Sequence, residues 1–188
     1  MRCLYCRQEI DSSSLDELQY LWHHKCCKKF FDVDVFPKID ISKQQLDEYV
    51  KHNIRIGLTI TGVQKKLSLH LLRDVRSRLT MVGYPAGYVL KPQTQEYDSL
   101  PENENLVMSM ANLCGIRTVE HALIRIDDEF AYITKRIDRI EKRELAMEDF
   151  CQLSGRLTED KYKSSYERCG KLIRQYSFNA GVDLAEFF

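Results

Sequence analysis

The alternation of apolar and polar positions changes character near Arg55. Upstream, residues 1–31 are short, cysteine-rich and end in Lys28-Lys29-Phe30-Phe31. Residues 32–54 have the composition of a connector, with one helix predicted around Ser42–His52 and Ser42 suited to cap it. From residue 55 the pattern predicts strands. Leu58–Thr61 and Lys66–Leu72 flank Gly62-Val63-Gln64, as two strands joined by a turn, and a further strand is predicted at Gly87–Lys91, ended by Pro92. Residues 102–114 predict a helix with Leu106, Val107, Met110, Leu113 and Cys114 on one apolar face, stopped by Gly115. His121–Ile126 and Phe130–Arg136 are β-rich and flank Asp127-Asp128-Glu129, a hairpin signal. After Arg139 helices are predicted over Ala146–Leu153 and Lys161–Tyr176, with another beginning in Asp183–Phe188. The expected fold class is α+β: an antiparallel sheet carrying one helix, then a helical segment over 143–188.

Composition adds little to that picture but narrows the function. A chain of 188 residues with 44% hydrophobic and 30% charged residues can bury one core plus a small satellite. No apolar run is long enough to span a bilayer, and the N-terminus lacks the apolar core of a signal peptide. The 28 basic and 28 acidic residues balance, so there is no basic footprint of the kind that marks nucleic-acid binders. Seven cysteines, several in close pairs, point to a reducing cytoplasm and metal ligation rather than disulfides.

Cys3-x2-Cys6, sixteen residues, then His23-x2-Cys26 has the spacing of a Cys3His zinc knuckle. Zn2+ takes four soft or borderline ligands in a tetrahedron, and two tight pairs on a flexible stretch supply them with little strain. His24 and Cys27 compete for the last two places; His23 and Cys26 are preferred because they keep two residues between ligands. Such a closed site has no open position for water, so its expected role is structural.

A second constellation suits phosphate. The Gly62 turn, with Thr59, Thr61, Val63 and Gln64 around it, can aim backbone N–H groups at phosphate oxygens. A glycine in a hairpin is by itself ordinary. The added signal is Lys91, closing the apolar strand Tyr88-Val89-Leu90, followed by a helix that opens Glu102-Asn103-Glu104. A strand lysine held by a helix carboxylate is how kinases position a cation on nucleotide phosphates. Glu104 lies over Val107 and Ala111 and is the favoured partner, with Glu102 the alternative.

The segments TGVQKKLSL, YVLKPQ, LPENENLVMSMANLCGI, YITKRIDRI and MEDFCQLSGRLTEDKYKSSYE resemble, in order and spacing, the HipA family of serine/threonine toxin kinases. The cysteine knuckle followed by Lys29-Phe30-Phe31 is similar to a subset of that family, close to its compact HipT-type form. The resemblance implies a kinase-like N-lobe over 55–142. Thr59–Gln64 would be a flexible phosphate-side loop, with Thr59 and Thr61 at autophosphorylation positions. Lys91 would contact ATP, Glu104 would pair with it, and Lys135 to Ile137 would be the adenine hinge. Met147 departs from a glutamine common in relatives. The family's Asp-x-His-x-x-Asn catalytic element is not found, since no histidine follows His121, nor is the later aspartate that holds Mg2+. The expectation is an ATP-binding half, inactive alone. By resemblance its partners would be a HipB-like DNA-binding antitoxin and a small HipS-like protein, and its substrate an aminoacyl-tRNA synthetase. A separate subunit docking on a partner, or a zinc-stabilised interaction module, are the competing readings.

Overall fold

The computed structural model describes residues 1–42, 44–46, 48, 66–84, 86–140 and 143–188. The strand expected at Leu58–Thr61 and the turn holding Thr59, Thr61, Gly62, Val63 and Gln64 lie outside them. Of the connector helix, Gln44–Leu46 and Glu48 are described and helical. Ser42 Oγ accepts from Gln45 N at 3.2 Å while Gln45 Oε1 accepts from Ser42 N at 2.8 Å, a reciprocal N-terminal cap. The chain forms two compact units, Met1–Lys142 and Arg143–Phe188.

The first unit opens with helices α1 (Leu15–Tyr20) and α2 (His24–Phe31). Strand β1 (Lys38–Ile39) follows, then β2 (Leu67–Leu72), β3 (Arg78–Val82), β4 (Tyr88–Pro92), helix α3 (Leu100–Leu113), β5 (His121–Ile126), β6 (Glu129–Lys135) and the short β7 (Arg139–Ile140). Six strands make one sheet in the order β1-β3-β2-β4-β6-β5. All neighbours are antiparallel except β1 and β3. The β5–β6 hairpin turns at Asp127, whose φ of 52° is left-handed, a conformation that short polar side chains tolerate. Strand β3 was not expected; Arg78–Val82 pairs along β2 and shelters it from the edge.

The cysteine-rich start shares the sheet's core. Trp22, Phe30, Phe31, Phe36 and Tyr88 are buried together, with ring centroids of Phe30 and Phe31 4.8 Å apart. The Trp22 indole N–H donates to the Leu123 carbonyl of β5 at 3.1 Å. Leu67, Leu69, Leu79, Leu90, Ile124 and Ile133 complete that core from the strands. Burial of this aromatic set is strongly stabilising, since each such ring removes about 150–250 Å² from water.

Helix α3 departs from expectation. Its predicted apolar face is outward: Leu106, Val107, Met110 and Leu113 are 55–85% exposed. The buried residues are Pro101, Asn105 and Ser109. The reason is that polar contacts seat the inner face, as shown below, and a helix rotated to bury the leucine stripe would lose them. Gly115, at φ 82°, ends the helix as predicted, and Ile116 N–H bonds back to the Ala111 carbonyl at 3.0 Å.

The second unit begins with β8 (Arg143–Glu144) and continues as α4 (Phe150–Leu153), a 3-10 turn at Thr158–Asp160, α5 (Tyr166–Tyr176) and α6 (Ala180–Phe187). Asp149 and Gln152 cap α4 reciprocally, so the helix starts later than Ala146. Ser165 caps α5, which moves its start from Lys161 to Tyr166. Gly170 of α5 faces Leu184 and Phe188: a Cβ there would sit 3.4 Å from both side chains, in ordinary contact. The Phe187 ring packs on Phe150 and Tyr166, while Phe188 stays exposed.

Candidate functional site

Cys3, Cys6, His23 and Cys26 converge so that one ligand atom from each lies within 4.8 Å of all the others. A tetrahedral zinc site needs roughly 3.8 Å between sulfurs, so the set suits such an ion. The turn after Cys3 returns Cys6 to it, with Arg7 N–H bonding the Cys3 carbonyl at 2.9 Å. His23 precedes α2 and Cys26 sits in its first turn. His23 Nδ1 is 3.2 Å from Cys6 Sγ, and its Nε2 is 3.0 Å from the Glu9 carbonyl. That carbonyl can only accept, so it draws the proton to Nε2 and leaves the Nδ1 lone pair facing the thiols. The two rivals are elsewhere. His24 is exposed beside Glu17, and Cys27 is fully buried with its thiol pushed up to about 12 by that burial.

Lys91 and Glu104 form the second cluster. Lys91 lies on β4 opposite Tyr132 of β6, and its Nζ is 5.3 Å from the Tyr132 ring centroid. Glu104, in the second turn of α3, accepts directly from Lys91 Nζ, with both side chains only 19–25% exposed. An ion pair this sheltered holds its geometry better than a surface pair. Burial pushes the Tyr132 phenol up, and the Glu104 carboxylate adds to the effect. Several buried polar atoms lack a hydrogen-bond partner among the described residues: Tyr132 OH, Glu102 Oε2, Asn105 Oδ1 and Thr94 Oγ1. These four belong to β6, α3 or the exit of β4, the elements around Lys91 and Glu104, while Thr118 Oγ1, ahead of β5, is in the same state. A buried polar group left without a partner is costly.

The other candidates are dispersed. Lys135 closes β6, pairs with Glu120 at 2.8 Å and donates to the Lys29 carbonyl at 3.2 Å, so its side chain faces the cysteine module. Ile137 is 62% exposed. Between them Arg136 grips buried Asp138 through its guanidinium Nε and Nη2, and Arg139 donates to the same carboxylate at 2.9 Å. Arg136's hydrogen bonds hold the Asp138 carboxyl below its ordinary value. Two neighbours escaped the sequence reading: Tyr132 under Lys91, and Arg7, whose guanidinium donates to Ser109 Oγ on α3. Both depend on strand register and loop aim, which no local pattern encodes.

The HipA-like C-terminal domain model matches residues 58–188 and so runs through both compact units. A Haemophilus influenzae protein named "Putative kinase" is 29% identical over 167 residues, covering 81% of this chain and 47% of its own length. "Putative kinase Y4dM" of Sinorhizobium fredii is 28% identical over 147 residues, 70% of this chain and 36% of its own. The chain thus spans less than half the length of these curated relatives. A solved structure, the Shewanella oneidensis HipA in complex with HipB and operator DNA, aligns with a TM-score of 0.49 at 20% identity, over 73% of this chain and 40% of that one.

Proposed function

From the premise that this chain belongs to the HipA-like C-terminal domain family, we propose that it is the ATP-cradling half of a serine/threonine protein kinase. The observation that carries this reading is the sheltered Lys91–Glu104 pair on β4 and α3. In this role Lys91 contacts the ATP phosphates, and Glu104 rather than Glu102 keeps it extended towards them. Such a pair is part of the charge stabilisation on which phosphoryl transfer depends. Thr59–Gln64 is the phosphate-side loop, Thr59 and Thr61 are its autophosphorylation sites, and Lys135 to Ile137 meet adenine through backbone groups. Mg2+ would arrive with ATP. Cys3, Cys6, His23 and Cys26 hold a structural Zn2+.

A HipB-like DNA-binding antitoxin is the proposed partner, with a HipS-like protein as a second and an aminoacyl-tRNA synthetase as substrate. The proposed location is cytoplasmic; no helix among the described residues is long and apolar enough to cross a membrane. One feature favours a second reading, in which the chain is a regulatory docking module: the exposed Leu106, Val107, Met110 and Leu113 of α3.

The chain alone is expected to bind ATP–magnesium yet transfer no phosphate, because it lacks the catalytic Asp-x-His-x-x-Asn element. Radiolabelled ATP with the purified chain and a synthetase substrate tests this. Label transferred at enzymatic rates would contradict the inactive-half reading; absence of nucleotide binding would favour the docking module.

A further inference from the structure

We infer that Arg7 is a positioning residue that couples the metal cluster to helix α3, and through it to Glu104; this rests on the nucleotide reading of the Lys91–Glu104 pair. The starting point is how α3 is seated. Its fully buried residues are Pro101, Asn105 and Ser109, and its larger apolar residues Leu100 and Met108 are only half-buried. A helix seated this way depends on a few directional polar contacts, because burial of non-polar area contributes little there. Two such contacts are available. One is Glu104 on Lys91; the other is Ser109 Oγ, which accepts from the Arg7 guanidinium and lies 3.3 Å from His121 Nε2. His121 Nδ1 is 2.9 Å from the Val119 carbonyl and carries the proton there, leaving Nε2 as an acceptor. Ser109 Oγ also donates to the Asn105 carbonyl, so its hydroxyl proton is contested and its lone pairs face Arg7. Ser109 follows Glu104 by five residues, about 7.5 Å along the axis at 1.5 Å per residue. A tilt at one contact therefore reaches the other.

The aim of Arg7 is set by the metal turn. Arg7 follows Cys6 directly, has a left-handed φ of 61°, and its N–H bonds the Cys3 carbonyl at 2.9 Å. A non-glycine residue is held in that region only where its surroundings over-determine it. Here the surroundings are the turn that brings Cys3 and Cys6 to one point. The rest of the module is fastened to β5 independently of Arg7. Leu123 N–H bonds the Leu4 carbonyl at 3.4 Å, Trp22 bonds Leu123, and Arg125 donates to the Gln19 carbonyl at 3.2 Å. Beside the Arg7–Ser109 contact lies a cleft of about 450 Å³, lined also by Tyr5, Lys29, Asn112 and Thr118. The C-terminal half of α3 is thus bridged to the cysteine module rather than packed solidly on it. Loss of the ion would loosen the Cys3–Arg7 turn, release Ser109 and let Glu104 drift from Lys91.

The test is amide hydrogen exchange on the full zinc-loaded chain, with zinc content and ATP–magnesium affinity measured on the same samples. Arg7→Ala and Ser109→Ala each remove one side of the contact without touching a metal ligand. Both should keep zinc, speed exchange over residues 104–113 about tenfold (the scale of one charge-assisted hydrogen bond), leave β6 unchanged, and weaken ATP binding. The double variant should be no worse than Ser109→Ala alone, because that substitution already deletes the contact Arg7 makes. Unchanged α3 exchange in both variants overturns the proposal, whatever ATP does. Faster α3 exchange with wild-type ATP affinity overturns the link to Glu104. If the wild type binds no ATP while α3 exchange still rises, the nucleotide reading fails and the clamp stands. Chelating zinc from the wild type should speed α3 before β6; equal acceleration of both overturns the metal link.

Discussion

Lys91 and Glu104 stand thirteen residues apart in sequence and touch in the structure. Replacing either should weaken ATP–magnesium binding by about tenfold or more, the scale of a lost charge-assisted contact. Glu104→Gln should do so with little loss of fold, since its side chain is still a quarter exposed. A different residue governs acid sensitivity. Arg136 and Arg139 hold Asp138 ionised, so its folded pKa is depressed. Its contribution is therefore present above the unfolded value near 3.9 and is lost as pH falls through the folded value. Asp138→Asn should cost about 3 kcal/mol at neutral pH, as breaking a buried pair does. The gap between variant and wild type should begin to narrow below about pH 4 in urea melts and close only as pH falls through the lower folded value. Much at this scale was legible. The two-residue spacing selected His23 and Cys26 over their neighbours; Glu104 was favoured over Glu102 on a phase that set it over Val107, which the structure leaves exposed. Tyr132 and Arg7 were not legible, because only the β4–β6 register and the left-handed turn after Cys6 bring them to Lys91 and Ser109.

Elements were read best where local chemistry decides them and worst where packing does. The β5–β6 hairpin, the glycine stop after α3 and the reciprocal cap at Ser42 follow from residue types at fixed offsets. Strand β3 was missed because the place of Arg78–Val82 beside β2 and β1 comes from pairing rather than from a local pattern. Helix α3 is the instructive reversal. Its 3.6-residue apolar stripe is real but faces outward, and the helix sits on Asn105 and Ser109 instead. Accordingly, Val107→Gln should change thermal stability by less than about 0.5 kcal/mol, as surface substitutions do. A loss of 2 kcal/mol or more would mean that the stripe is packed. In the second unit, Asp149 both caps α4 and pairs with Lys161 at 2.7 Å. Asp149→Ala should cost about 1 kcal/mol, the usual value of a lost N-cap, measured as a lowered urea midpoint of that unit.

At the scale of the whole molecule, the cysteine-rich start and the sheet form one body around a shared aromatic core, with Arg143–Phe188 as a second compact unit. A connector was expected between module and sheet, yet Phe36, Ile41 and Leu46 from that stretch are buried in the same core. Composition alone could not reveal this, because it depends on β1 pairing with β3 across the intervening chain. Metal should therefore matter beyond the first thirty residues. The chain should bind one zinc, lose it on Cys6→Ser with His23→Ala, and then melt at a lower temperature with the sheet included. An unchanged melting curve would remove the structural role of the ion. The central claim is that the Lys91–Glu104 pair serves a nucleotide, and calorimetric titration of ATP–magnesium into the wild type and Lys91→Ala tests it most directly. The account predicts saturable, magnesium-dependent binding by the wild type, weakened at least about tenfold in the variant, with the variant still melting cooperatively, at a somewhat lower temperature, before nucleotide is added. Equal binding by both chains, or none by the wild type, would contradict it.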